Sequence, residues 1–246
     1  MNETIAQLHE RRSVRAYTSE PVSDADERAI LEAACQAPTA GNQQLYSIIV
    51  VRDQAEKEEL AVTCDNQPFI ATAPLVLVFC VDVRRWHRAF VAAGAEPREP
   101  GVGDFLLALE DTAIAAQNAV VAAHSLGLGS CYIGDILERR EDQARILGCP
   151  RHVVPAVMLV IGHPTPGQLR RVKPTRLPLE DIVFEDRYET RDADRLLEDL
   201  RPKAPASRDL DDWARAFCER KWNSGFSREM TRSAAAILAD FATDVS

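Results

Sequence analysis

The sequence predicts a chain of interleaved helices and strands, and three observations predict it. Two short, nearly continuous apolar runs, SIIVV at 47–51 and LVLVFCV at 75–81, are rich in β-branched residues and have the length of strands covered on both faces. A third run of the same kind, VVPAVMLVI, occupies 153–161. Between the second and third, a stretch from about Gly103 to Leu126 with TAIAAQNAVVAA at its middle is small and apolar on nearly every side, as a helix packed closely on other helices must be.

The remaining elements follow in order. A short helix is expected around Thr4 to His9. A second runs from Asp24 to Gln36, with Ser23 as its N-cap, Ile30, Leu31 and Ala34 as its apolar stripe, and Pro38 enforcing the stop. Residues 84 to 103 hold Trp86, two prolines and three glycines amid mixed charge, the pattern of a mobile surface segment over a site. Gly127 is a natural terminator for the long helix. An extended piece at 129–134 and a helix from Ile136 to Leu147 precede the third strand, where Pro155 requires an edge or a bulge. From about Arg191 the composition turns to charge and proline, which predicts a surface connection leading to helices near 209–221 and 228–241, the second capped by Ser227. The division expected is a core over 1–190 and a helical extension over 191–246.

With 246 residues, 46% hydrophobic and 27% charged, the chain can bury one substantial core. A net charge of −9 argues against a partner held by a general positive field, so nucleic acid and anionic membrane are not expected. The first residues lack the apolar stretch of a secretory signal, and no run of consecutive apolar residues has the length of a spanning helix; a cytoplasmic protein is expected. The six cysteines form no C-x-x-C pair and no zinc-like Cys/His spacing, so reduced thiols and no metal are expected.

Several motifs fail. Gly127, Gly129 and Gly134 follow a helix rather than a strand, the reverse of a dinucleotide-binding turn. Asp135 and Ile136 stand where a P-loop needs Lys and Ser or Thr. The histidines never fall into H-E-x-x-H, and no G-x-S-x-G elbow is present.

Four features remain. Arg11, Arg12, Ser13 and Arg15 are a tight group of anion-binding side chains, which alone also reads as a solvated basic cluster. Pro38 to Gln44 (PTAGNQQ) is a polar loop whose amides Asn42 and Gln44 offer both donors and acceptors, suited to the edge of a ring that presents C=O and N–H in sequence, although alone it reads as just a turn. GLGSCYIG at 127–134 lets main-chain N–H groups approach a planar ligand, and KPTRLP from Lys173 to Pro178 is a basic patch after the last core strand.

In this order the four features resemble the nitroreductase family of flavoproteins over residues 5–188. The resemblance implies an α+β fold with a central, mostly antiparallel sheet wrapped by helices, and an intertwined homodimer with FMN at the interface. Arg11, Arg12 and Ser13 would hold the FMN phosphate and ribityl chain, with Arg15 near the pyrimidine end. Asn42 and Gln44 would reach the flavin edge from the other subunit or a facing wall, and the backbone at Ile133 and Gly134 would lie beside N5 and O4. Arg176, with Lys173, would close on the phosphate. Leu45 departs from the family's commoner Asn-x-Gln-Pro. No side-chain nucleophile is implied: NADH or NADPH supplies the hydride, FMN carries it, and a small electron-poor acceptor such as a nitroaromatic or quinone receives it in a ping-pong sequence. The alternatives are a flavin-dependent enone reductase, dehydrogenase or dehalogenase acting on a specific metabolite, or an FMN-binding protein without turnover.

Overall fold

The computed structural model describes residues 1–242, so residues 243–246 of the expected extension lie outside the described residues. Its elements are placed by local chemistry. Helix α1 (Glu3–Glu10) is capped by the Asn2 side chain, which accepts from the Ile5 amide, and α2 (Asp24–Cys35) by Ser23, which accepts from Asp26 as its sequence required. Strand β1 (Tyr46–Val50) is followed by α3 (Gln54–Thr63), a helix the sequence reading left out; Asp53 caps it by accepting from Glu56. Strand β2 (Leu75–Asp82) then leads into α4 (Arg84–Ala92).

The presence of α4 corrects the expectation of an irregular segment over 84–103. The helix-breaking residues cluster after it, and Gly94, at φ +79°, ends it.

Helix α5 (Val102–Ser125) ends at Gly127, whose φ of +77° lets the Leu128 amide turn back to the Ala123 carbonyl at 2.9 Å. By length and a mean hydropathy of 1.3 it could cross a membrane, which counting consecutive apolar residues overlooks. Its apolar character is that of a core helix: Ala115, Ala116, Ala119, Val120 and Ala123 are fully buried against α2 and the sheet.

Strand β3 (Gly129–Ile133) comes next. The single helix expected over 136–147 is instead a tight turn at Gly134–Leu137 followed by α6 (Arg140–Ile146), separated by Arg139 in the left-handed region at φ +45°. Strand β4 (Val153–Gly162) and the one-turn α7 (Pro166–Leu169) follow.

The four strands lie in the order β1-β2-β4-β3, every pair antiparallel. β2 and β4 are central and buried, whereas β1 is an edge strand and only half-buried, not covered on both faces. The register slips between Phe79 and Cys80, where Cys80 faces Pro155 and Phe79 faces Val157. Proline, which cannot donate to a ladder, has produced a bulge in a central strand.

Two compact units divide the chain: Met1–Arg170 with Glu229–Ser246, and Arg171–Arg228. Within the second, α8 (Ala193–Asp199) occupies the stretch expected to be an irregular surface connection, and α9 (Leu210–Phe217) falls inside the helix expected near 209–221. Arg191 organises this unit by reaching Asp181 at 3.2 Å and Asp199 at 2.6 Å and lying over the Phe184 ring. Burial raises the Asp199 carboxyl, but the Arg191 hydrogen bond and the charges of Arg191 and Arg195 together outweigh it and the net shift is downward. Helix α10 (Gly225–Asp240) starts earlier than expected; the amide of Ser227 donates to the Ser224 hydroxyl, so Ser224 rather than Ser227 provides the cap contact. From Glu229 onward α10 belongs to the first unit, where Ser233 and Asp240 meet the amide and guanidinium of Arg140.

Candidate active site

The segment after α1 runs beside the start of β3. Ser13 and Ser130 form a parallel bridge, and the Val14 amide donates to the Ser130 carbonyl at 2.9 Å. Gly129 makes this approach possible, because a Cβ there would lie 2.6 Å from a Val14 methyl. Tyr17 locks the far side: its hydroxyl donates to the main-chain carbonyls of Val14 at 2.7 Å and Val160 at 3.1 Å, and burial raises its pKa.

This seating gathers three of the expected residues around one strand. Ser13 and Arg15 lie within hydrogen-bonding reach of the Cys131 thiol, and Arg11 is close enough to influence both Cys131 and Tyr132 electrostatically. Burial pushes the Cys131 thiol up despite these neighbours. Among the described residues, the buried Nη1 of Arg11 has no hydrogen-bond partner. A buried guanidinium nitrogen without an acceptor is costly, and an anionic oxygen is the group that removes the cost. Arg11 and Arg12 also line a cavity of about 230 Å³ with Gly127 and Ser130. Arg12 has a framework contact as well, donating to the Leu169 carbonyl at 2.9 Å, while the Arg15 amide donates to the Gln168 side chain at 3.2 Å.

At the other end of β3, Ile133 is buried and Gly134 is exposed, and among the described residues beyond its chain neighbours nothing lies within 4 Å of where a Cβ would project. A planar molecule can therefore come against the main chain there.

Asn42 and Gln44 lie in a second cluster. The loop turns through Gly41, Asn42 and Gln44, all at positive φ. Asn42 is exposed. The Gln44 side-chain amide donates to the Cys35 carbonyl at 3.2 Å, and its main-chain amide donates to the Thr39 hydroxyl at 2.8 Å.

What holds this loop is a residue the sequence reading missed. Asp111, buried in the middle of α5, accepts from the Thr39 hydroxyl, from the Ala40 amide at 3.0 Å and from the Leu45 amide at 3.2 Å. The available signal was its place at the head of the small, apolar stretch that begins at Thr112: a carboxylate on the buried face of such a helix must be hydrogen-bonded. Trp86 of α4 supports the same loop, its indole N–H donating to the Gln43 carbonyl at 2.7 Å.

The sheet register keeps the two clusters apart within one chain. The loop enters β1 at Tyr46, opposite Val81, which faces Val154 at the start of β4; Ser130 faces Ile161 near its end. The intervening length of β4 is roughly 20 Å. Lys173 and Arg176 belong to the second unit, Lys173 half-buried and Arg176 exposed. Next to them Lys203 donates to the Thr175 carbonyl at 2.6 Å, fixing the turn that carries Arg176.

The sequence profile of the nitroreductase family matches residues 8–163. An FMN reductase (NADPH) of Bacillus subtilis is 36% identical over 190 residues, covering 76% of this chain and 75% of the relative. An oxygen-insensitive NADPH nitroreductase of Salmonella typhimurium is 38% identical over 192 residues, or 78% and 77% of the two chains. Among solved structures, the NADPH:FMN oxidoreductase of Vibrio harveyi complexed with NAD+ superposes with a TM-score of 0.78 at 27% identity, over 96% of this chain and 98% of that one. With its arginine–serine segment seated on β3 and its four-stranded antiparallel sheet wrapped by helices, the chain belongs to the nitroreductase family.

Proposed function

We propose that the protein is an FMN-dependent oxidoreductase that passes hydride from NADH or NADPH to a small electron-poor acceptor, a nitroaromatic or quinone. The observation that carries this reading is the buried, partnerless Nη1 of Arg11 beside Ser13 and the β3 backbone. That donor set fits a terminal phosphate.

In this reading Arg11 and Ser13 bind the phosphate and ribityl oxygens. Arg12 contributes charge and anchors the Leu169 turn, and Arg15 presents a cation toward the pyrimidine end. The open backbone at Ile133 and Gly134 faces the ring, Asn42 and Gln44 meet its edge, and Arg176 with Lys173 completes the phosphate contacts. When bound, FMN supplies the hydride chemistry, and the protein supplies position and charge. Donor and acceptor would use one face in turn. The flavin-binding core corresponds to residues 1–190 and its extension to 191–246. A cytoplasmic location fits the nicotinamide donors.

The active form is a homodimer. In one chain the amide loop and the arginine cluster lie at opposite ends of β4, so a second copy is the simplest way to bring Asn42 and Gln44 to a flavin held by Arg11. Apolar side chains left in water on α5, Leu106, Leu107 and Ile114, supply a surface for it.

The test is direct. Purified protein should be yellow, and should oxidise NADH or NADPH anaerobically with a quinone present. A colourless preparation with no FMN-induced thermal shift would sink the reading. Light scattering that finds a flavin-loaded monomer at micromolar concentration would remove the dimer alone.

A further inference from the structure

Two thiols that the flavin site does not use lie together elsewhere in the first unit. Cys80 of β2 is fully buried, on the same face as Val76 and Val78, and Cys149 packs on that same apolar cluster. Cys149 follows α6 in a fixed turn: its amide donates to the Ala144 carbonyl at 2.8 Å, and Gly148 supplies the left-handed residue at φ +62°. Within that cluster the two thiols are close enough to influence each other electrostatically.

Cys149 is half-buried and opens onto a surface cavity of about 530 Å³ whose other polar lining is Asp82, Arg84, Arg85 and Arg88. Asp82 is occupied by the Ser47 hydroxyl and by the Arg85 amide at 3.1 Å, and Arg85 returns to Ser47 at 2.8 Å. Among the described residues neither Arg84 nor Arg88 has a carboxylate partner. The cavity therefore offers two uncommitted guanidinium groups beside a reachable thiol with a second thiol behind it.

We propose that Cys149 and Cys80 form an attacking and resolving dithiol for small anionic disulfides, whose carboxylates are held by Arg84 and Arg88. Cys149 lines the cavity and is the thiol a ligand can reach, whereas Cys80 is fully buried behind it and pushed up by its neighbour and by burial, so the roles are assigned in this order.

Cys149, as thiolate, attacks one sulfur of the disulfide. The ligand's S–S bond breaks, a mixed disulfide forms at Cys149, and the first thiolate leaves. Cys80 then gives up its proton and attacks Sγ of Cys149, closing the Cys80–Cys149 bond and expelling the second thiolate. The two protein thiols lose two electrons, the disulfide gains them, and the two protons end on the two released thiols. Neither FMN nor a nicotinamide takes part.

The FMN-loaded protein, without nicotinamide donor, is incubated at low salt with oxidised glutathione, a polycarboxylate, or with cystamine, a diamine, each rate being normalised to that with free cysteine. Alkylation and peptide mapping should find Cys80 joined to Cys149 and two equivalents of small thiol released. Oxidised glutathione should react about tenfold faster than cystamine, a preference lost on adding salt. Arg84→Gln with Arg88→Gln should abolish the preference; the exposed Arg88→Gln alone, which cannot disturb packing, should reduce it. Cys80→Ser should accumulate the mixed disulfide at Cys149. The proposal is overturned if Cys149 stays reduced in wild type while the exposed Cys35 and Cys218 are modified, or if the two probes react equally. Since the readout is thiol chemistry, it can fail while FMN binding and turnover stand.

Discussion

The arginine segment at 11–15 is laid against β3 by main-chain contacts, Val14 to Ser130, and leaves the Arg11 Nη1 without a partner. The amide loop at 39–45 is held instead by side-chain chemistry, with the Asp111 carboxylate from α5 accepting three hydrogen bonds inside the protein. One region is fixed so that its polar groups remain free for a ligand. The other commits most of its polar groups to its own shape and presents only what is left, chiefly Asn42. The first should be sensitive to ligand and the second to stability.

Asp111→Ala should have the largest effect. It strands the buried Leu45 amide, the half-buried Ala40 amide and the Thr39 hydroxyl, at a cost of about 3 to 5 kcal/mol. Urea unfolding measures it, and an unchanged midpoint would erase the contrast drawn above. Arg11→Ala should act the other way, with little loss of stability but FMN affinity lowered by roughly 10- to 150-fold, the equivalent of about 1.5 to 3 kcal/mol for a charge-assisted contact. Fluorescence titration of the apoprotein with FMN decides it, and wild-type affinity would move the phosphate elsewhere.

Gly129→Ala sharpens the comparison by striking the seating and not the ligand groups. Its methyl group would collide with Val14, costing about 1 to 3 kcal/mol of overpacking and weakening FMN through displacement of Arg11. Normal stability with normal FMN binding would mean that the segment is not held as described. Cys131→Ser should do least. The thiol is buried and raised in pKa, so the variant should keep FMN and most of its turnover. Loss of activity by several orders of magnitude with FMN intact would show that the thiol takes part.

The same contrast explains how much the sequence disclosed. Strands β2 and β4 and helix α5 were legible because complete burial leaves an unbroken apolar run, and the bulge opposite Pro155 followed from the missing N–H. The Ser23 cap was legible because its partner lies three residues away. Helices α3 and α8 were missed: their composition is mainly polar, with no apolar run to announce them. The glycines and prolines of 94–103 masked α4 just before them. In the site, Arg11, Ser13 and Arg15 were visible as a local cluster. Asp111 was not, since its three partners come from a loop far away in sequence and only the folded helix brings them together.

The bridge between Ser13 and Ser130 also sets an order of events. The arginine segment leaves the ribosome well ahead of the strand it rests on, because the whole stretch between Ser13 and Ser130 must be made first. Until then Arg11 has nothing to lie against, and closing so long a loop precedes any gain from the contact. The anion cradle is thus among the last parts of the first unit to mature, and a truncated nascent chain ending before β3 should emerge without affinity for the cofactor.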